Sequence, residues 1–375
     1  MRALASAGVS FLFAAALAAQ APAPSPAPAT PPRVVSIVGA VVHTVSGADV
    51  PNGTIVVRDG KIASITAGGA PDPAGPTVNA AGKHVYPSLF PPLTALGLAE
   101  IASIRATVDN AEIGDLNPDA RASVAVNFDS ELLPVARSGG VLVAGVTPSG
   151  GLVSGSVAAM KMQGWTREDG ALRDPAAITV FWPDLTIDRS PDATRTVEKQ
   201  KKERDERVRK LKDAFRDARA YAAARASEGQ PGVPRHDVDP KLAALVPAIE
   251  GKVPVVVKAD RLAQIRDALA WAREEKINLV IWGGADAWRA ADELAKAGVP
   301  VVVDSPHDLP LRADEAYDTA FANAGRLNAA GVRVIFNEGG SPDGATNVRN
   351  LPQLVAAAVA HGFPREKALD RKSVV

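Results

Sequence analysis

The stretch Val85-Tyr86-Pro87-Ser88-Leu89-Phe90-Pro91-Pro92-Leu93-Thr94-Ala95-Leu96-Gly97-Leu98 divides the chain into two kinds of sequence. Before it, β-branched residues alternate between turn signals. After it, short apolar runs alternate with helical patterns almost to the end. The stretch itself reads as a short apolar strand that opens a barrel.

Working upstream, residues 34–43 form a β-rich run, Pro51-Asn52-Gly53 is a turn, and residues 54–57 pair with 62–66 across Asp59-Gly60. Asp-Gly between two alternating β-branched runs is a strong hairpin signal. Val78, Asn79 and the Gly82-Lys83 turn complete a small sheet. Residues 34–84 are therefore expected to form a small β-sandwich-like domain, in which His43 and His84 are ordinary strand and turn residues.

Downstream, residues 130–137 read as a helix capped by Ser130 and ended by Gly139-Gly140. Residues 141–146, 157–162 and 178–182 read as apolar strands. The Gly/Ser loop 148–155 offers backbone amides to an anion, but it lacks phosphate-loop spacing and reads better as a tight connection. Ser190 and Pro191 suit the start of a long helix running to residue 226, with Val208, Leu211, Phe215 and Ala222 on one face. Its dense mixed charge is a solvated face laced with ion pairs. His236 falls in the exposed Gly/Pro loop that follows.

From Lys241 the alternation is regular. Strands at 253–258, 279–282, 299–304 and 332–336 alternate with helices at 241–249, 262–275, 287–297, 314–330 and 351–360. Short apolar strands alternating with amphipathic helices indicate parallel βα units. With the opening strand the count reaches eight, which predicts an α/β fold: a (β/α)8 TIM-type barrel over residues 85–369.

Composition narrows the function. The chain has 375 residues, 42 Lys plus Arg against 42 Asp plus Glu, and no cysteine. Zero formal charge argues against nucleic acid or an acidic membrane as partner. The absence of cysteine excludes disulfides, a thiol nucleophile and a lipidated cysteine. Residues 1–19, with Arg2 followed by a short apolar run, read as a cleaved secretory signal, leaving no membrane span. Residues 20–33 read as a Pro/Ala-rich linker, and a bacterial periplasm is the simplest destination.

The segment ending in Asn79-Ala80-Ala81-Gly82-Lys83, with the strand after Pro87, resembles the barrel opening of the amidohydrolase superfamily. The resemblance, to its imidazolonepropionase-like members, spans residues 38–369. It is carried by Asn52 through Ile62, Val85-Tyr86-Pro87, Lys161-Met162-Gln163-Gly164-Trp165 and Gly331-Val332-Arg333-Val334. It implies hydrolysis of a cyclic amide, imide or peptide-like carbon-nitrogen bond by metal-activated water. The implied ligands are a His-x-His pair, a lysine or acid on the fourth strand, histidines on the fifth and sixth, and an aspartate on the eighth. At the matching positions this chain has Leu93 and Ala95, Trp182, Lys258 and Trp282, with Asn337-Glu338-Gly339 at the eighth. Leu and Ala have no ligand atom and a protonated lysine has no lone pair, so zinc, the family's metal, is not expected.

A pocket of Lys258, Asp260, Asp304, His307 and Glu338 remains. Lys258 would stay charged there if Asp260, Glu338 or Asp304 balanced it. Asp260 suits better the N-cap of the helix beginning at Leu262. The cluster Asp304-Ser305-Pro306-His307-Asp308 brings a His and two carboxylates together, either as a metal-free acid/base pair or, more simply, as a surface turn. His361 suits a helix C-terminus. The sequence thus points to an amidohydrolase-like protein with an impaired or non-catalytic site, serving as a partner to an active paralogue or as a homo-oligomer. The alternatives are an active hydrolase with a displaced or metal-free site, and a small-molecule-binding module. Residues 370–375 match a translated sequencing adapter and are expected to be a non-native tail on a fragment, breaking the helix that starts at Pro364.

Overall fold

The computed structural model describes residues 33–372, apart from 46, 236, 305 and 308. The expected secretory signal, almost all of the linker, His236, Asp308 and residues 373–375 lie outside the described residues.

The N-terminal unit comprises residues up to Val42 and Asp49–Val85. It holds β1 (Val34–Val42), β2 (Val50–Arg58), β3 (Lys61–Ala67), β4 (Thr77–Asn79) and β5 (His84–Val85). β1 and β2 pair antiparallel, and β2 turns into β3 through Asp59 and Gly60. Both residues have positive φ, as the Asp-Gly signal requires. β4 and β5 add to β1 in parallel. The described strands form a single five-stranded sheet, not the expected sandwich. Ala40, Val42, Ile55 and Ala80 form its buried cluster.

The second unit comprises His43–Ala48 and the chain from Tyr86 onward; after the opening segment it carries two short helices, α1 (Ala122–Ala125) and α2 (Leu132–Ser138). The meander β6 (Val143–Val146), β7 (Val153–Lys161) and β8 (Ala171–Phe181) follows, with the single-turn helix α3 (Arg167–Gly170) between the last two. Next come α4 (Val197–Ala226), α5 (Pro240–Ile249), β9 (Val255–Ala259), α6 (Leu262–Glu275) and β10 (Leu279–Gly283). The chain continues through α7 (Ala291–Ala297), β11 (Val301–Val303), α8 (Thr319–Ala329), β12 (Val334–Phe336), α9 (Leu351–Ala360) and α10 (Arg365–Lys372). β6 to β12 form one seven-stranded sheet in sequential order.

Five neighbouring strands, β8 to β12, are parallel as expected. β7 is not, because it runs antiparallel to both β6 and β8. Connection length explains the reversal: residues 147–152 and 162–170 are too few for a parallel crossover, which needs roughly a dozen residues including a helix. The sheet therefore departs from eight successive βα units. The opening segment carries isolated parallel bridges, Leu89 to Val141 and Thr94 to Val146, beside β6. On its other side Ala95 N donates to the Gly339 carbonyl at 2.8 Å.

Other boundaries shift for local reasons. α4 starts at Val197, not at Ser190, because Thr196 Oγ1 accepts from Lys199 N at 3.2 Å and caps it. The short α2 has Glu131 rather than Ser130 at its cap position, although Ser130 Oγ accepts from Leu132 N. α10 keeps a helical backbone through Lys372, past the expected break at residue 370.

α4 buries only Leu211, Phe215 and Ala218, and the Phe215 ring meets Trp271 of α6 edge-on at 4.8 Å. Its ion pairs, such as Lys202 with Glu206 and Arg216 with Asp213, have largely exposed partners. Each contributes about 0–1 kcal/mol, so the apolar stripe holds the helix down. Phe215→Ala should cost about 3–5 kcal/mol, read as a lower urea midpoint, whereas charge-neutral substitution of Lys202 and Glu206 together should leave that midpoint almost unchanged.

Candidate functional site

Side-chain parity at the carboxyl ends of β9 to β12 decides what meets there. Phe181, Lys258, Trp282, Val302 and Ile335 are register neighbours across β8 to β12. In a parallel sheet such neighbours share a face, and residues two further along return to it. Asp260, Asp304 and Asn337 are those residues for Lys258, Val302 and Ile335. Leu93, Val157, Ala177, Val256, Trp282 and Val302 form the apolar layer on this face, with Phe181 and Ile335 packed against it.

On that layer lies a polar network. Lys258 Nζ donates to Asp304 Oδ2 at 2.9 Å and lies 3.3 Å from Asp260 Oδ2. Asp304 Oδ1 accepts from Trp282 Nε1 at 2.8 Å and from Asn337 Nδ2 at 3.0 Å. Asn337 is fully buried and reaches back to the opening segment. Its Oδ1 accepts from Leu93 N at 3.0 Å, and its Nδ2 also donates to the Leu93 carbonyl at 2.9 Å. The Lys258 ammonium also stands 5.2 Å from the Trp282 ring centroid. Two glycines make room for this network. A Cβ on Gly283, whose φ is positive, would fall 2.2 Å from Asp260 Oδ1 and 2.5 Å from Lys258 Nζ, and one on Gly340 would strike the Trp282 ring.

Burial lowers the pKa of Lys258 and is the largest single influence on the group. Asp304 first and Asp260 second outweigh it together, so the ammonium is held above the ordinary lysine value of 10.5. The side chain keeps a quarter of its full exposure.

Asp260 does not cap α6. Leu262 N donates to the Asp286 carboxylate at 3.1 Å, and Gln264 Oε1 accepts from Asp260 N and Arg261 N. With those caps in place the Asp260 carboxylate faces Lys258. Trp182 also departs from expectation: it lies on the opposite face, in the main core, with its ring 5.4 Å from that of Trp271. Phe181 takes the place facing the site, edge-on to Trp282. Glu338, off the parity of Asn337, lines the mouth of a cavity of about 400 Å³ with Lys258, Asp304 and Ser341. His307 is exposed and its ring meets Phe321 edge-on, outside the network. His361 ends α9, its Nδ1 2.9 Å from the Ala357 carbonyl. Phe181 and Asn337 are the site residues that reading by motif misses, and strand parity finds both.

The donor set does not fit a divalent cation at the family's position. Leu93 and Ala95 are buried hydrocarbon, Lys258 is an ammonium, and both Asp304 oxygens already accept hydrogen bonds. Among the described residues no three His, Asp or Glu side chains gather as a metal site. No helix among them is long and apolar enough to cross a membrane.

Two outcomes follow. Asp304→Ala leaves Lys258, Trp282 and Asn337 without their shared acceptor and should cost about 2–3 kcal/mol, below the figure for a fully buried pair because water reaches this one. Lys258 has a folded pKa above its unfolded one, so its stabilisation is complete below the ordinary value of 10.5 and is lost as pH rises through the folded value. The stability difference between wild type and Lys258→Met, measured by urea titration, should be flat from neutral pH to about pH 10 and shrink above it.

No protein-family model matches the chain, and neither does any curated protein. Solved structures do. An amidohydrolase from Thermotoga maritima MSB8 superposes with a TM-score of 0.77 at 21% identity, covering 90% of this chain and 86% of that one. An uncharacterised protein follows at a TM-score of 0.50 and 13% identity, covering 91% and 85%. The likeness extends over nine tenths of this chain, and the chain has the fold of that amidohydrolase.

Proposed function

We propose that this protein is a non-catalytic amidohydrolase-like protein, in which a fixed ion-pair network stands where the superfamily's metal would do hydrolysis. It acts by binding, either a small molecule at the mouth of the sheet or a protein partner such as an active relative. The observation that carries this reading is the Lys258 ammonium, 2.9 Å from Asp304 and held by it. A metal hydrolase needs a Lewis acid to polarise the carbonyl and to lower the pKa of its attacking water. An ammonium already committed to two carboxylates supplies neither a vacant coordination position nor a base. Both oxygens of the Asp304 carboxylate are likewise already engaged, by Lys258, Trp282 and Asn337. Residues 1–19 support export, and we assign the protein to the periplasm on that basis.

Supporting the reading further, the substitutions are mutually consistent. Lys258 needs the charge of Asp304, the Asp304 carboxylate needs the donors of Trp282 and Asn337, and Trp282 needs the space left by Gly340. A decayed active site has no reason to keep each buried polar atom of such a network partnered.

The purified full-length protein, incubated with N-acyl amino acids, β-aspartyl dipeptides and cyclic imides, should show no hydrolysis above the uncatalysed rate, with added zinc or with a chelator. Turnover abolished by the chelator would overturn the proposal in favour of a displaced metal centre, and chelator-resistant turnover would overturn it in favour of metal-free catalysis.

A further inference from the structure

We propose that residues 309–318 form a hinged lid over a second cavity, closed by a latch of four charged side chains that separates into two neutral pairs when the lid lifts. The cavity encloses about 220 Å³ beside the strand ends. Val303 and Phe336 of the sheet line it, and so do Leu309, Pro310, Leu311 and Glu315. Leu309 is also 88% exposed and Tyr317 84%, so the wall on this side is one stretch of chain with water beyond it.

Side chains tie that stretch down. It lies in the connection from β11, which ends at Val303, to α8, which begins at Thr319. Among the described residues its backbone hydrogen bonds stay within it or run into α8: Glu315 N donates to the Arg312 carbonyl, Thr319 N to Ala316 and Ala322 N to Asp318. Segments with so few backbone bonds to the body lie at the low end of local stability. The polar ties to the body, among the described residues, are two. Arg312 grips both oxygens of Asp286 at 2.7 Å, and Arg289 donates to Glu315 at 3.0 Å.

The same four charges also pair within each side. Arg312 and Glu315 are both on the lid, 2.5 Å apart. Asp286 and Arg289 are both on the β10–α7 connection, 3.5 Å apart. Asp286 is 1% exposed and caps α6 through Leu262 N, and the Arg289 guanidinium rests on the Trp288 ring at 4.5 Å, so these two stay with the body. When the lid lifts, the Arg312–Asp286 and Arg289–Glu315 contacts break, while Arg312–Glu315 and Arg289–Asp286 remain. Opening therefore leaves no buried carboxylate alone, the condition that makes breaking an ordinary buried ion pair so unfavourable.

The chain has no cysteine, so a single introduced thiol reports access to the cavity. Ala324→Cys and Ala358→Cys lie on its lining at 4% and 3% exposure, and Ala218→Cys, fully buried on α4, serves as reference. In the full-length protein a soluble maleimide should label both cavity thiols slowly, and Ala218→Cys far more slowly. Adding Arg312→Gln should speed the cavity thiols by about tenfold or more, since one tie then remains, and leave Ala218→Cys unchanged. Arg289→Gln should instead slow them, because lifting would strand Asp286 without a cation. A plain tether predicts acceleration by both substitutions, so acceleration or no change in Arg289→Gln would overturn the proposal. So would equal labelling with and without Arg312→Gln, or acceleration of all three thiols together, which would show a pair that holds the whole fold. Two cavity positions keep a reporter in hand where one variant fails to fold. The labelling reads motion and not turnover, so failure here leaves the preceding proposal standing.

Discussion

Lys258 carries a positive charge into a sheet end built otherwise of Val, Leu, Ile and aromatic side chains, and that charge has to be balanced where it sits. Taking an ammonium out of water costs several kcal/mol, and only close, well-bonded carboxylates repay it. Asp304 does so at 2.9 Å with Asp260 behind it. The rest of the site follows from this requirement. The carboxylate of Asp304 needs donors on its other oxygen, which Trp282 and Asn337 provide, and Asn337 ties the end of β12 to the backbone of Leu93. One ion pair thus couples the ends of β9, β10, β11 and β12 to the opening segment. Neighbouring glycines lack side chains where the charged groups and the indole pass.

The chain shares its fold with an amidohydrolase, and the described side chains at its strand ends form an ion-pair network. A barrel-type sheet collects the residues at its strand ends whatever their chemistry. Here those residues are a cation, its counter-ions, an indole and an amide. They give rigidity and a fixed electrostatic pattern, with both Asp304 oxygens engaged and Asp260 beside the Lys258 ammonium. Arg312, paired with both Glu315 and the buried Asp286, braces the segment that leads into α8.

Much of the fold could be read from the residues alone. The Val-rich runs of β9 and β11 are continuous and apolar because both faces are buried, and α6 and α9 match their expected limits. The Asp59-Gly60 hairpin formed where the turn chemistry demanded it. What escaped was of two kinds. The direction of β7 is set by the lengths of its flanking loops, and an apolar run reads the same in either direction. The capping of α6 is long-range, since Asp286 lies far along the chain from Leu262 and takes the role that Asp260 would fill locally. That displacement is what frees Asp260 for Lys258. Trp182 was assigned to the site by motif position, but parity turns it to the core and turns Phe181 inward. Asn337, overlooked for its acidic neighbour Glu338, could have been found by counting two residues from Ile335.

The central claim is that the Lys258 ammonium and the Asp304 carboxylate bond to one another at the strand ends and leave no place for a metal there. Diffraction from crystals grown with zinc, recorded at the zinc absorption edge, tests it most directly. The account predicts Lys258 Nζ within hydrogen-bonding distance of Asp304, with no anomalous peak between them. An anomalous peak on the Asp304 carboxylate, with the Lys258 side chain turned away from it, would contradict the account.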